Sequence, residues 1–376
     1  MRILYGVVGE GMGHAVRSKV LLEYLAEQGH ELLIVASGRA HAFLEGHFGG
    51  RPGVRLEKIH GLHLNYEGDA VDVAESIASN LGDLPDNLSL NTEVYRRVTE
   101  MRFRPQAVIS DFEYWAYLYG RAHRVPVISV DNMKIMDRCR HDAEIVQEGG
   151  LGFHLASAAV SVKLAWAYHY LISSFFFPAI RKARTTLVPP ILRREVLALK
   201  REEGEHVVVY QTTGANQSLV PMLQSLPHEF RLYGMGREGQ EGNVTLRPFS
   251  ETGFLEDLRT ARAVIAGGGY SLMGEAVHLR VPMLSSPLLA HPEQELNARY
   301  LEHLGYGGYA RRLDVPTIHA FLRRTGEHEE ALRSYPSQDN SFLFFCLDEL
   351  LWRIGRREPA PAALSTAPLR VRPAPA

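Results

Sequence analysis

The chain has 376 residues, 45% hydrophobic and 22% charged, with a formal net charge of -2. That length supplies a core for each of two globular domains, and the balanced charge excludes a broad nucleic-acid surface. Two cysteines, Cys139 and Cys346, exclude a disulfide framework and suit a reducing compartment.

The start, MRILYGVVGEG, lacks the long apolar run and small-residue cleavage site of a signal peptide. No apolar run reaches the roughly 18–20 residues of a membrane span; the nearest, Leu155 to Ile180, is broken by Lys163 and His169. The expected location is cytoplasmic. Residues 2–8 read as a buried parallel strand ending in the glycine turn Gly9-Glu10-Gly11-Met12-Gly13-His14. Val16, Val20, Leu21 and Leu25 then predict a helix over 15–28, closed by Gly29, and 32–36 is the next strand. A dinucleotide fold is disfavoured, because His14 holds the place of the third glycine and no acidic residue ends the second strand near Ser37-Gly38. A helix is expected around 88–101. Ala107 to Ser110 is a strand ending at Asp111, a helix covers about 113–123, and the strand 127–130 ends at Asp131-Asn132. This alternation predicts a doubly wound parallel sheet. Residues 151–185 are rich in aromatics; they read as a core helix and the last strand of the first domain, or as an apolar face for a lipid-linked acceptor or a membrane surface.

Residues 186–190, TLVPP, read as a hinge and 191–200 as a linking helix. A second series opens with the strand 206–210 and the turn Gln211-Thr212-Thr213-Gly214. Short strands follow at 230–233 and 244–246, then a helix at 254–259. The stretch 263–300 is the most informative. A strand (263–266) runs into Gly267, Gly268 and Gly269, a helix covers 271–278, a strand 281–285, and the loop His291-Pro292-Glu293-Gln294 opens a further helix. In a parallel sheet such a turn lies at the carboxyl edge, where ligands bind. Glycines let the backbone approach an anion, and the first helix amides point at it. Glu275, one turn in, is placed to reach a sugar hydroxyl. The helix 342–352 is rich in Phe and Leu, and the Pro/Ala-rich tail from Glu358 reads as disordered.

The run G-G-G-Y-S-x-x-x-E, a short strand, then E-Q-x-x-N-A resembles the donor site of GT-B glycosyltransferases, both the MurG-type N-acetylglucosaminyltransferases and the family 1 enzymes. The resemblance implies two Rossmann-like domains facing a cleft: an acceptor domain over 1–187, a donor domain over 188–340, a helix over 341–356 crossing back to the first domain, and a disordered tail over 357–376. It implies that Gly268, Gly269 and Ser271 hold a nucleotide diphosphate, that Glu275 binds the ribose, and that Glu293 and Gln294 meet the sugar. Gly267 stands where many family 1 enzymes carry a phosphate-binding His, so the diphosphate is held differently here.

His14 follows a strand and a glycine turn, and attack of an acceptor hydroxyl needs a base of near-neutral pKa. In related family 1 enzymes a His in this place does that work, oriented by an Asp that Asp111 matches; a loop cap or a phosphate ligand is the other reading of His14. Arg17 stands where the MurG-type pattern has Pro. Gly11 and Gly13 belong to the donor side of this turn. Thr212, Thr213 and Gly214 open the second series where a diphosphate lies. In the MurG-type enzymes the Phe at the place of Phe249 packs on the base, and the amide after it, here Ser250, reads that base. His291 is either a sugar contact or a loop histidine, and Asp131 and Asn132 face the acceptor. No D-x-D triplet and no metal-spaced His/Cys cluster occurs, so no metal or cofactor is expected, and helix amides take the ion's part. The expected reaction moves a sugar from a nucleotide donor, UDP first and dTDP second, to an acceptor hydroxyl on a lipid or a glycan of the cell envelope, with peripheral membrane contact through the first domain. A nucleotide-sugar 2-epimerase of the same fold and a silent nucleotide-sugar binding subunit are the alternatives.

Overall fold

A computed structural model describes residues 1–9, 12–61, 65–67, 70–72, 84–146, 150–211, 218–248, 250–289 and 291–364. In the first half the chain runs β1 (Arg2–Val7), α1 (Met12–Glu27), β2 (Glu31–Ala36), α2 (Gly38–Phe48) and β3 (Val54–Lys58), then a short hairpin of β4 (Asn65–Glu67) and β5 (Ala70–Asp72). It continues with α3 (Leu84–Glu100), β6 (Ala107–Asp111), α4 (Tyr114–Ala122), β7 (Val127–Asp131), α5 (Ile135–Arg138), α6 (Ala143–Val146), α7 (Gly150–Val162), β8 (His169–Ser173) and β9 (Thr185–Val188). The main sheet has the order β3-β2-β1-β6-β7-β8-β9, parallel throughout. Chain order reverses between β1 and β6, so the carboxyl ends of those strands open a crevice. Val7 lies opposite Asp111 there.

The second half comprises α8 (Arg194–Ala198), β10 (Val207–Tyr210), α9 (Leu219–Gln224), β11 (Phe230–Tyr233), β12 (Gly239–Glu241), β13 (Val244–Arg247), α10 (Glu251–Arg259), β14 (Ala263–Ala266), α11 (Tyr270–His278), β15 (Met283–Ser285), α12 (Pro292–His303), β16 (Gly307–Tyr309), α13 (Val315–Arg323), α14 (Thr325–Arg333) and α15 (Ser341–Gly355). Its sheet has the order β12-β13-β11-β10-β14-β15-β16, and only β12 is antiparallel. Order reverses between β10 and β14, directly under the triple glycine. The central strands are short apolar runs buried along their length, as strands covered on both faces must be.

α15 turns one face, Phe342, Leu343, Cys346, Leu347, Leu350, Leu351 and Ile354, into the core that holds Ile3, Tyr5, Leu21 and Leu25. Tyr24 of α1 stacks on Phe344 at 3.9 Å, and its hydroxyl donates to Asp348 at 2.5 Å.

Two expectations are corrected. Thr186 to Val188, read as hinge, belong to β9, and the chain leaves the sheet only at Pro189. The tail read as disordered from 357 is ordered as far as Leu364. Arg184 N and Thr185 N donate to Ala362 O at 2.6 and 3.2 Å, Leu364 N donates to Thr186 Oγ1 at 3.0 Å, and Leu364 is buried in the first core. The tail thus supplies the partners that the outer edge of β9 would otherwise lack.

Candidate active site

The first cluster forms on α1. His14, Arg17 and Ser18 stand at i, i+3 and i+4, one helical face, and that face meets the end of β6. His14 Nδ1 lies 2.8 Å from Asp111 Oδ1, Arg17 Nε donates to Oδ2 at 2.9 Å, Arg17 Nη2 donates to Oδ1, and Ser18 Oγ donates to Oδ2 at 2.8 Å. Burial alone would raise the Asp111 carboxyl; the Arg17 guanidinium and His14 more than offset it and hold Asp111 well below the ordinary carboxylate range. His14 Nδ1 lies between an acceptor, the ionised Asp111 carboxylate, and a donor, Arg17 Nη2 at 2.6 Å. His14 is 20% exposed, against 6% for Arg17 and 1% for Asp111. The cluster therefore has one accessible end, the imidazole.

Asp111 is held by a tight strand-to-helix turn. Phe112 takes φ 53, a left-handed conformation that costs a non-glycine residue about 1–2 kcal/mol. Ser110 Oγ donates to Glu113 O at 2.7 Å and accepts from Glu113 N at 2.9 Å, and the Glu113 carboxylate caps α4 through Trp115 N and Ala116 N, both at 2.7 Å. Asp131, at the end of β7, accepts from Ser129 Oγ and Lys134 N. Burial raises its carboxyl.

Across the cleft stands the glycine turn. The N-cap of α11 is Gly269, which has no side chain to cap the first turn, and the first amides of a helix have no partner within it. Gly268 has a packing reason as well: a Cβ there would meet Gln294 Cβ and O at 2.5 Å. Gln294 Oε1 accepts from Gly268 N at 3.3 Å and Leu288 N at 3.1 Å, tying the turn to the start of α12. Glu293 is buried and accepts from Asn297 Nδ2 at 2.7 Å. Among the described residues, three buried polar atoms of this region make no hydrogen bond: Ser285 Oγ, Asn297 Oδ1 and His291 Nδ1, the last of which lies 3.8 Å from Glu293 Oε2.

The halves touch at these residues. Ser271 Oγ donates to Gly13 O at 3.2 Å, and a Cβ on Gly13 would lie 2.8 Å from that hydroxyl. Asn297 Nδ2 lies 3.4 Å from Asn132 Oδ1, and Ser173 Oγ is 2.8 Å from Tyr270 Oη. The structure thus brings His14, Asp111, Gly13, Asn132, Gly268, Ser271, Glu293 and Gln294 into one neighbourhood.

One expected side chain is engaged elsewhere. Glu275 is 4% exposed; Arg193 Nε and Nη2 each donate to its oxygens at 2.7 Å, while Arg193 Nη1 donates to Glu251 at 2.8 Å. Its carboxylate is thus committed to the linker and does not face open space. Ser250 Oγ caps α10 through Gly253 N at 3.1 Å. Gly11, Thr212, Thr213, Gly214 and Phe249 lie outside the described residues. The sequence reading passed over the partners of Arg17, and Ser18, Arg193 and Ser285 altogether. For Arg17 and Ser18 the signal was present, as their i+3 and i+4 spacing from His14 on one helix. Among the described residues, no group of three or more His, Cys, Asp or Glu side chains is placed to hold a metal ion.

The sequence model of the family described as glycosyl transferase family 1 matches residues 1–326. An uncharacterized glycosyltransferase of Methanosarcina acetivorans is 25% identical over 370 residues, covering 89% of this chain and 90% of its own. Another, from Methanosarcina mazei, is 23% identical over 342 residues, covering 82% and 85%. Among solved structures, a UDP-glucosyltransferase from Polygonum tinctorium capable of glucosylating indoxyl superposes with a TM-score of 0.65 at 13% identity, covering 94% of this chain and 98% of its own. The glycotransferase of kitacinnamycin gives 0.63 at 16% identity, covering 93% and 98%. At such identities the likeness is one of fold, and that fold is GT-B.

Proposed function

As a member of glycosyl transferase family 1, the chain is a glycosyltransferase, and we propose that it moves a sugar from a UDP-linked donor to an acceptor hydroxyl with His14 as the base. The observation that supports this most is the His14–Asp111 pair at the mouth of the first sheet, one residue from the Gly13–Ser271 contact with the donor-side helix. In this reading the acceptor O–H gives its proton to His14 Nε2. The oxygen's electron pair forms the new bond to the anomeric carbon, the bond from that carbon to the diphosphate breaks, and its electrons leave with UDP. Direct displacement inverts the anomeric centre. Asp111 keeps the ring in the tautomer that accepts and stabilises the imidazolium that forms.

The diphosphate charge falls to the open amides of α11, and no metal is needed; turnover insensitive to EDTA is the expected outcome. Ser285, His291 and Asn297 offer the sugar polar atoms that make no hydrogen bond among the described residues. A lipid-linked acceptor, with peripheral membrane contact, is favoured by the exposed apolar side chains Tyr114, Leu118, Leu155, Val162 and Trp166 of the first half; a glycan is the other acceptor class. No described helix is long and apolar enough to cross one. The test is UDP release from a panel of UDP-sugars, with and without lipid and small-molecule acceptors. Acceptor-dependent release is expected; a nucleotide sugar consumed without any acceptor would point to another reaction.

A further inference from the structure

The base pair proposed above has a third member that the proton-transfer scheme does not use. Arg17 donates from Nε and Nη2 to the two oxygens of Asp111, and its Nη2 lies 2.6 Å from His14 Nδ1. A guanidinium never accepts, so in the tautomer proposed above, with the proton on Nδ1, it brings only positive charge. The Asp111 charge is thereby shared between a permanent cation and the histidine. The other ionic groups act from further away: Asp131 on β7 and Glu293 on α12 on Arg17, and Lys163, just past α7, on Asp111. Glu113, which follows Asp111 by two residues, faces its own helix amides.

We propose that Arg17 is a positioning residue of the proton-transfer pair. It locks Asp111 in one orientation through a two-point contact, and its cation beside Nδ1 disfavours a second proton on the His14 ring. The aspartate–arginine pair orients the ring and leaves Nε2 free to accept. Lysine is no substitute for the first role, since a single ammonium lacks the planar fork. It does keep the charge required by the second. This inference rests on the reading of His14 as base, and its test separates the two.

The imidazole resonance of His14, assigned by its absence in His14→Ala, is titrated by proton NMR in wild type, Arg17→Gln, Arg17→Lys and Asp111→Asn, alongside the pH dependence of kcat/KM. Removing the cation should move both the resonance midpoint and the acidic limb of the rate profile to higher pH, by about 1–3 units. Removing the anion should move them to lower pH. Arg17→Lys should hold the midpoint near wild type while kcat falls, because charge is kept and orientation lost. If Arg17→Gln does not fold, Asp111→Asn is compared with Arg17→Gln/Asp111→Asn, in which no buried charge is stranded; the double variant should titrate higher. An unmoved midpoint in folded Arg17→Gln, or in the double variant relative to Asp111→Asn, overturns the inference, as does an equal shift in Arg17→Lys. Should wild type transfer no sugar, the function proposed above fails, while the NMR midpoints still decide what Arg17 does to His14.

Discussion

The two crevices of the molecule are built alike and finished differently. At the β1/β6 crevice both oxygens of Asp111 are filled by Arg17, Ser18 and His14, so the geometry is complete before any ligand arrives. At the β10/β14 crevice the N-cap of α11 is a glycine, and Ser285, His291 and Asn297 each keep a buried polar atom without a hydrogen bond among the described residues. A buried unpaired polar group costs about 1–3 kcal/mol, so the second crevice holds in reserve interactions that a polar ligand can satisfy. Under the proposed function the comparison teaches a division of labour: a preorganised base on one side and a ligand-completed cradle on the other.

Four perturbations sharpen that comparison. The largest effect is expected from His14→Ala, which should lower kcat by about 10²–10⁴-fold, read as UDP release at saturating donor. Glu275→Ala comes next. It strands the buried Arg193 guanidinium, and breaking such a pair costs about 3–5 kcal/mol, which urea denaturation should show as a lowered midpoint. If stability holds while UDP binding falls, Glu275 serves the ribose and its pairing with Arg193 is incidental. The third uses pH. His169 on β8 is fully buried, and burial pushes its imidazole down to about 4. Between about pH 6.5 and 4 the unfolded chain takes up a proton that the folded one refuses, so stability falls as pH drops through that window, by about 2–3 kcal/mol. His169→Gln should flatten that part of the stability curve; an equal slope in both proteins would place the acid sensitivity elsewhere. The smallest effect belongs to Gln294→Ala. Its Oε1 props Gly268 and Leu288, so UDP and UDP-sugar should weaken together, by about 0.5–1.5 kcal/mol. A loss confined to the sugar nucleotide would instead assign its amide nitrogen to the hexose.

The legible parts of the sequence were those where short-range chemistry decides the outcome. The apolar run 2–7 followed by glycines, and the run 263–278, declare strand, turn and helix through local composition, and they placed His14 and Gly268 at crevice edges. What escaped depends on partners far along the chain. Thr186 to Val188, ahead of two prolines, look like hinge residues until Ala362 and Leu364 pair with the edge of β9. Glu275 reads as a free carboxylate because Arg193, 82 positions away, is invisible from the helix that carries it. β16 is three residues, Gly307 to Tyr309, too short to show a period of two. Arg17 was in view as a departure from a pattern, but its meaning required Asp111 to be folded against it.

The central claim, that nucleotide binding and proton removal sit on opposite halves, is tested most directly by calorimetric titration of UDP into His14→Ala. The account predicts an affinity within about twofold of wild type, a difference below ~0.5 kcal/mol, in a variant that has lost turnover. A tenfold or greater loss of UDP affinity, with turnover surviving at saturating donor, would make His14 a phosphate ligand and contradict it.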